Sequence, residues 1–213
     1  MITNLMIGDN VTNELNYRIG NLFPVSIHQI DVDGFDKVKN ELIKYAYNLQ
    51  KQDPVGRHIS NRGGWQSPIF KVNDRSDVLH SFLMKCFTKF PTIKESVKID
   101  IESWVNINKP NSYNRKHLHP TCDLAGVLWI KSPKDCGNIV FENPHEFQMF
   151  TLIESYTEEF KKDNNYYHSW FFSPIEGRLL IFPSHLVHSV DENKSNEDRI
   201  SVSFNIRLSD EGV

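Results

Sequence analysis

The sequence predicts an α+β protein, mainly β, in which an antiparallel barrel or jelly roll is flanked on one side by N-terminal helices. Three observations carry this. Two stretches within residues 1–95 place apolar residues at helical spacing. From Val97 onward the texture changes to about eight short alternating or continuously apolar runs. Turn signals rich in Gly, Pro, Asn and Asp separate those runs. With 213 residues and no internal repeat, linker or low-complexity stretch, one domain over 1–213 is expected. Within it, 1–95 would supply a strand and helical support, and 96–213 the jelly-roll core.

Residues 1–20 are polar and weakly patterned, and read as a loosely docked arm. Leu22 to Ile30 alternates well enough for a first strand, and Pro24 places it at an edge. Phe35, Val38, Leu42, Tyr45 and Leu49 form one stripe of a helix ending before Pro54. The adjacent glycines of SNRGGWQSPIF (60–70) mark a turn, with Trp65 and Gln66 either reaching a pocket or capping the core. A second helix is expected over Ser76 to Phe90, with Ser76 as N-cap, Pro91 as stop and His80 facing solvent. Strands are then expected over Ile99–Ile107, Leu124–Ile130, Gly137–Glu142, Phe147–Ile153, Tyr166–Phe172, Arg178–Phe182, Val187–Val190 and Ile200–Ile206, with Tyr113 to His119 leading into the site. The charged stretch from Thr157 to Asn165 reads as an exposed loop.

Formal net charge is −3 and the sequence pI is about 6.3, so no nucleic-acid surface is expected. Cys86, Cys122 and Cys136 are odd in number and form no CxxC pair, which favours a reducing cytoplasm over a disulfide framework. No apolar run approaches the roughly 20 residues of a membrane span, and the N-terminus has no signal-peptide pattern.

The chemistry concentrates in KHLHPTCDLAGVLWIK (116–131). Strand period two puts His117 and His119 on one face, and GRLLIFPSHLVHSV supplies His188 from a distant strand. Imidazoles suit iron, zinc, copper or nickel, so a mononuclear metal site within the barrel is expected, with Arg199 placed to hold an anionic co-substrate. Each residue also has a plain structural reading. His119 could bond the backbone, and Arg199 could pair with Asp191, Glu192 or Asp198.

These residues resemble the iron(II)- and 2-oxoglutarate-dependent oxygenases. The carriers of the resemblance are His117-Leu118-His119-Pro120, Ala125-Gly126, GNIVFENP, the distal GRLLIFPSHLVHSV and RISVSFN with its Arg-x-Ser pair, Arg199 and Ser201. With LFP, GGWQS and WVN, the ordered set is similar to that of a group of oxygenases from bacteria and phages, and spans most of the chain from Leu22. The resemblance implies a double-stranded β-helix, iron(II) at His117 and His188, and 2-oxoglutarate on Arg199 and Ser201; strand position alone adds Asn106 and Asn138 as candidates to face it. It also implies dioxygen as co-substrate and ascorbate as a candidate auxiliary. The sequence departs from the family in reading histidine where HxD or HxE is usual. His119 is then a third ligand, or an outer partner of the metal, or Asp123 supplies the carboxylate.

The function implied is hydroxylation of an unactivated C–H bond with succinate and CO2 as co-products, the substrate an amino acid or a peptidyl side chain. A cytoplasmic enzyme of a bacterium, or of the host cell if phage-encoded, is expected, with a homodimer as a candidate assembly and no membrane or nucleic-acid partner. Two alternatives stand beside it: a cupin-like metal enzyme that does not use 2-oxoglutarate, and a non-catalytic jelly-roll binding module.

Overall fold

The computed structural model describes residues 18, 19, 21, 23–87, 92–145 and 153–210. Its elements are β1 (His28–Asp31), α1 (Asp36–Gln52), β2 (Asn61–Arg62), β3 (Trp65–Gln66), β4 (Phe70–Lys71), α2 (Val78–Phe87), β5 (Val97–Asn108), β6 (Tyr113–His117), β7 (Leu124–Lys131), β8 (Ile139–Glu142), α3 (Glu158–Asp163), β9 (Ser169–Phe172), β10 (Arg178–Pro183), β11 (His188–Val190) and β12 (Arg199–Asp210). All pairings are antiparallel. The larger sheet runs β1-β10-β7-β12-β5-β3, with β4 also on β5, and the smaller runs β2-β6-β11-β8-β9. This is the predicted jelly roll with helices on one side.

Two apolar cores follow from strand alternation. Leu128, Ile130, Val202, Phe204 and Ile206 face the helices, where they meet Leu42, Ala46, Leu79 and Leu83. Ala125, Val127 and Trp129 face the other way, against Ile139, Phe141 and Phe182 inside the barrel. Gly126 lies where a Cβ would stand 2.3 Å from the Phe204 ring and 2.5 Å from the Leu180 carbonyl oxygen, so β7, β10 and β12 approach this closely only because that side chain is absent.

Several expectations are revised. The first strand starts at His28 rather than Leu22: Phe23 has φ 58° and residues 23–27 pair with no strand. The strands β2, β3 and β4 are two residues each, too short to show periodicity. Thr157–Asn165 contains the helix α3, capped by Thr157 Oγ1, which accepts from the Phe160 N–H at 3.2 Å. Glu158 and Glu159 in its first turn and Lys161 and Lys162 in its last complement the helix dipole. The strand expected over 147–153 lies, but for Ile153, outside the described residues, as do residues 88–91 at the expected end of α2 and most of the N-terminal arm. Trp65 is a core anchor, its indole N–H donating to the Asp53 carbonyl at 2.7 Å.

His80 is fully buried rather than solvent-facing. Its ring lies edge-on to Tyr45 and Phe70, Nδ1 meets Asp77 Oδ1 at 2.6 Å and Nε2 meets Ser103 Oγ at 3.4 Å. Asp77, not Ser76, caps α2, accepting from the His80 backbone N–H at 3.1 Å. Burial alone would raise the Asp77 carboxyl, but hydrogen bonds from His80, Arg75 and Tyr45 outweigh it and hold the group at about 2. A depressed carboxylate contributes stability that is complete above its unfolded value and lost as pH falls through the folded one. Asp77→Asn is therefore expected to lose about 2 kcal/mol at neutral pH. The gap from wild type should close as urea titrations are repeated from pH 4 down to pH 2.

Candidate active site

His117 closes β6 and His188 opens β11, and the two are register partners across the smaller sheet. His119 lies two residues past β6, held by its backbone N–H donating to the Ser184 carbonyl at 2.9 Å. The three rings have centroid separations of 4.3, 5.2 and 5.2 Å, and one ring nitrogen from each lies within 4.8 Å of the other two.

Every Nδ1 is occupied by an oxygen that can only accept. His117 Nδ1 meets the Arg115 carbonyl at 2.7 Å, His119 Nδ1 the Asn205 amide oxygen at 2.6 Å, and His188 Nδ1 the Leu186 carbonyl at 2.9 Å. Each Nδ1 must then carry the hydrogen, leaving three Nε2 lone pairs for a ligand. Burial lowers all three pKa values. His188 falls to about 3, burial being the main cause and repulsion from His117 the next. The rings are thus neutral at pH 7, as metal ligation needs.

Asp123 is not part of this set. Its Oδ2 accepts from the Leu208 N–H at 2.8 Å, which ties the carboxylate to β12, and the cluster of ligand atoms does not include it. Cys122 packs on the histidine loop, its thiol 3.6 Å from the His119 carbonyl, and burial raises it.

The histidines line a cavity of about 260 Å³ that also holds Arg199, Ser201, Ser203 and Asn205, one continuous face of β12. Opposite them in register on β5 stand Asn108, Asn106, Trp104 and Glu102, of which the first three line the cavity. Trp104 stacks on His119 at 5.9 Å, and Trp129 from β7 serves both as cavity wall and as barrel core.

Arg199 is 2% exposed. Its Nη1 donates to the main-chain carbonyls of Cys136, Gly137 and Asp191. Its Nη2 has no partner, and among the described residues no carboxylate pairs with it. Of the three candidate partners, Asp191 bonds Arg199 only through its backbone oxygen and acts through its carboxylate as an unbonded charge, while the Asp198 carboxylate takes the Tyr47 hydroxyl. A buried guanidinium without a bonded counter-charge is costly, and burial lowers its pKa more than the nearby Asp191 charge raises it. Such a group is a ready receptor for an anion.

Asn138 is not brought to this cavity. It lines a separate open cleft of about 700 Å³ with Ser132, Asp135 and Asp191, because Ile139 next to it faces the histidines and strand alternation turns Asn138 away. Sequence reasoning missed Trp104, Asn114, Ser203 and Asn205. Extending the period-two step from Arg199 and Ser201 would have reached Ser203 and Asn205.

Residues 102–205 match the family described as "Putative 2OG-Fe(II) oxygenase". No curated protein matches the chain by sequence. Among solved structures, a prolyl-4-hydroxylase of Pseudomonas putida is similar at a TM-score of 0.61 and 14% identity, over 85% of this chain and 91% of that one. A Trichoplax adhaerens prolyl hydroxylase, solved with a hypoxia inducible factor peptide fragment, is similar at 0.54 and 13%, over 85% and 83%. HygX of Streptomyces hygroscopicus, solved with nickel and 2-oxoglutarate, is similar at 0.51 and 10%, over 86% and 82%. At such identities the likeness speaks for the fold, a double-stranded β-helix. The matched residues hold the three histidines and Arg199; the 2OG-Fe(II) oxygenase family they match uses iron(II) and 2-oxoglutarate, and the three-histidine cluster fits that iron.

Proposed function

We propose that the chain hydroxylates a C–H bond of an amino-acid or peptidyl substrate, with His117, His119 and His188 holding iron(II) and Arg199 holding the distal carboxylate of 2-oxoglutarate. The observation that carries this reading is the unpartnered Arg199 Nη2, buried in the same cavity as three neutral, pre-oriented imidazoles. Three neutral ligands leave a divalent ion uncompensated, and among the described residues no carboxylate lines the cavity. A dianionic co-substrate therefore balances both the metal and the guanidinium.

When bound, the iron would supply the oxidation: dioxygen gives one atom to R–H and one to 2-oxoglutarate, yielding R–OH, succinate and CO2. The protein's residues do the rest. Arg199 fixes the co-substrate at the buried end, and Ser201, two residues on along the same face, offers a hydroxyl donor. The Arg115 and Leu186 carbonyls and the Asn205 amide hold the imidazole tautomers. Val127, Trp129, Ile139 and Phe182 exclude water from the interior.

Anaerobic calorimetry with manganese(II) in place of iron tests this reading. The expected result is stoichiometric metal binding followed by metal-dependent 2-oxoglutarate binding. Metal binding without 2-oxoglutarate binding would instead favour a cupin-like metal enzyme, and neither would favour a binding module.

A further inference from the structure

The hydroxylase reading leaves the substrate open between a free amino acid and a residue within a chain, and the cavity lining separates the two. Apart from the histidines, Arg199 is, among the described residues, the one ionisable side chain that lines it; no described Asp, Glu or Lys does. A free amino acid brings an ammonium and a carboxylate, and with Arg199 committed to 2-oxoglutarate neither has a partner there. At about 260 Å³ the cavity is below the usual ligand-pocket range of roughly 300–1,000 Å³, yet it must also take 2-oxoglutarate. Only a side-chain-sized group can enter beside the co-substrate, and the rest of the substrate stays outside.

The outer wall is apolar. Ile59, Ile69 and Leu118 line the cavity while remaining 69%, 58% and 43% exposed. Beside it the β2–β6 ribbon itself carries charge of one sign. Residues 57–62 and 113–117, joined by β2–β6 pairing, carry Arg57, His58, Arg62, Arg115 and Lys116 and no acid, although the chain as a whole is at −3. Lys116 pairs with Glu142 at 2.7 Å and Arg62 donates to its own loop, whereas Arg57 and Arg115 are exposed.

Resting on the hydroxylase reading, we infer that the substrate is an acidic polypeptide segment that lies along the β2–β6 ribbon and inserts one uncharged, mainly apolar side chain past Ile59, Ile69 and Leu118. Charge complementarity selects the flanks and the uncharged lining selects the inserted group. A polypeptide is favoured over a nucleic acid because the chain is net acidic at −3, and because Trp104, an aromatic ring lining the cavity, is already stacked on His119.

The test uses short fluorescent peptides with one central Leu, Pro or Asn flanked by either Glu or Lys, titrated by anisotropy into protein loaded with manganese(II) and 2-oxoglutarate. The Glu-flanked peptides should bind at least about tenfold more tightly than the Lys-flanked ones, and the difference should shrink with added salt. Arg57→Glu combined with Arg115→Glu should reverse the preference, an outcome that misfolding cannot produce. With iron and air, the central residue should gain one oxygen atom, read by mass spectrometry. Equal binding of both sets, tighter binding of a mixed-sequence oligonucleotide, or oxidation of free amino acids in place of peptides overturns the inference. Absence of succinate formation under all conditions would instead bring down the hydroxylase reading beneath it, even if the peptide preference held.

Discussion

Replacing Arg199 by methionine will weaken 2-oxoglutarate binding by about two to three orders of magnitude and leave the thermal stability of the free protein equal to or above that of wild type. The two effects share one cause. Removing one partner of a buried, hydrogen-bonded charge pair costs about 2–5 kcal/mol, and each 1.4 kcal/mol is tenfold in affinity. In the absence of the anion, however, the guanidinium is itself poorly compensated, with Nη2 unpartnered and, among the described residues, no carboxylate bonded to it. A methionine of similar length relieves that cost. It also leaves the carbonyls of Cys136, Gly137 and Asp191 without their Nη1 donor, which offsets part of the gain. Calorimetry of the manganese-loaded variant and a melting curve of the free one measure the two halves. A Tm well below wild type would mean that Arg199 is held for the fold and not for an anion. Arg199→Lys should recover only a fraction of the affinity, because an ammonium keeps the charge and loses the planar fork.

The second large effect is expected at His188. His188→Ala should abolish stoichiometric metal binding, a greater loss than the roughly 10–100-fold that follows removal of an outer partner of a metal ligand. Asn205→Leu should fall within that smaller range, since it removes the acceptor for His119 Nδ1 without removing a ligand. The contrast separates ligands from their supports. The same logic addresses the residue that departs from the family pattern: His119→Asp should retain metal and His119→Ala should bind it more weakly than Asn205→Leu does. If His119→Ala binds metal as tightly as wild type, the ring is a wall of the cavity and not a ligand. Metal titrations followed by a competing chelator rank the four variants.

The jelly roll, the flanking helices and most long strands were legible because each buries one face, which imprints a period of two or 3.6 on the sequence. The two-residue strands β2, β3 and β4 carry no period, so the ribbon beside the cavity was read only as a turn. His80 was misplaced because helical spacing identifies apolar positions, whereas this ring is buried by hydrogen bonds to Asp77 and Ser103. The pattern of His117, His119, His188 and Arg199 pointed to their cavity before any coordinates. Asn138 was assigned to it on strand position alone, and one residue of alternation decides the face. The partners of each Nδ1, two of them backbone carbonyls, could not have been read at all, since main-chain acceptors leave no trace in residue identity.

The alternation of β12 has a consequence for how this protein can fail. Arg199, Ser201, Ser203 and Asn205 point into the cavity, and Ile200, Val202, Phe204 and Ile206 point to the helices. A slip of one residue would exchange the two sets, sending a guanidinium and an amide into the apolar core and four large hydrocarbons into the cavity. Both neighbours, β5 and β7, would have to accept the error at once. The same strand therefore acts as a proofreader: a chain that has folded stably has, by that fact, already assembled the wall of its cavity. Insertions or deletions within 199–206 should abolish folding and activity together, and the 192–197 loop before the strand is tied as well, since the buried Asn193 side chain donates to the Asn108 and Glu197 carbonyls.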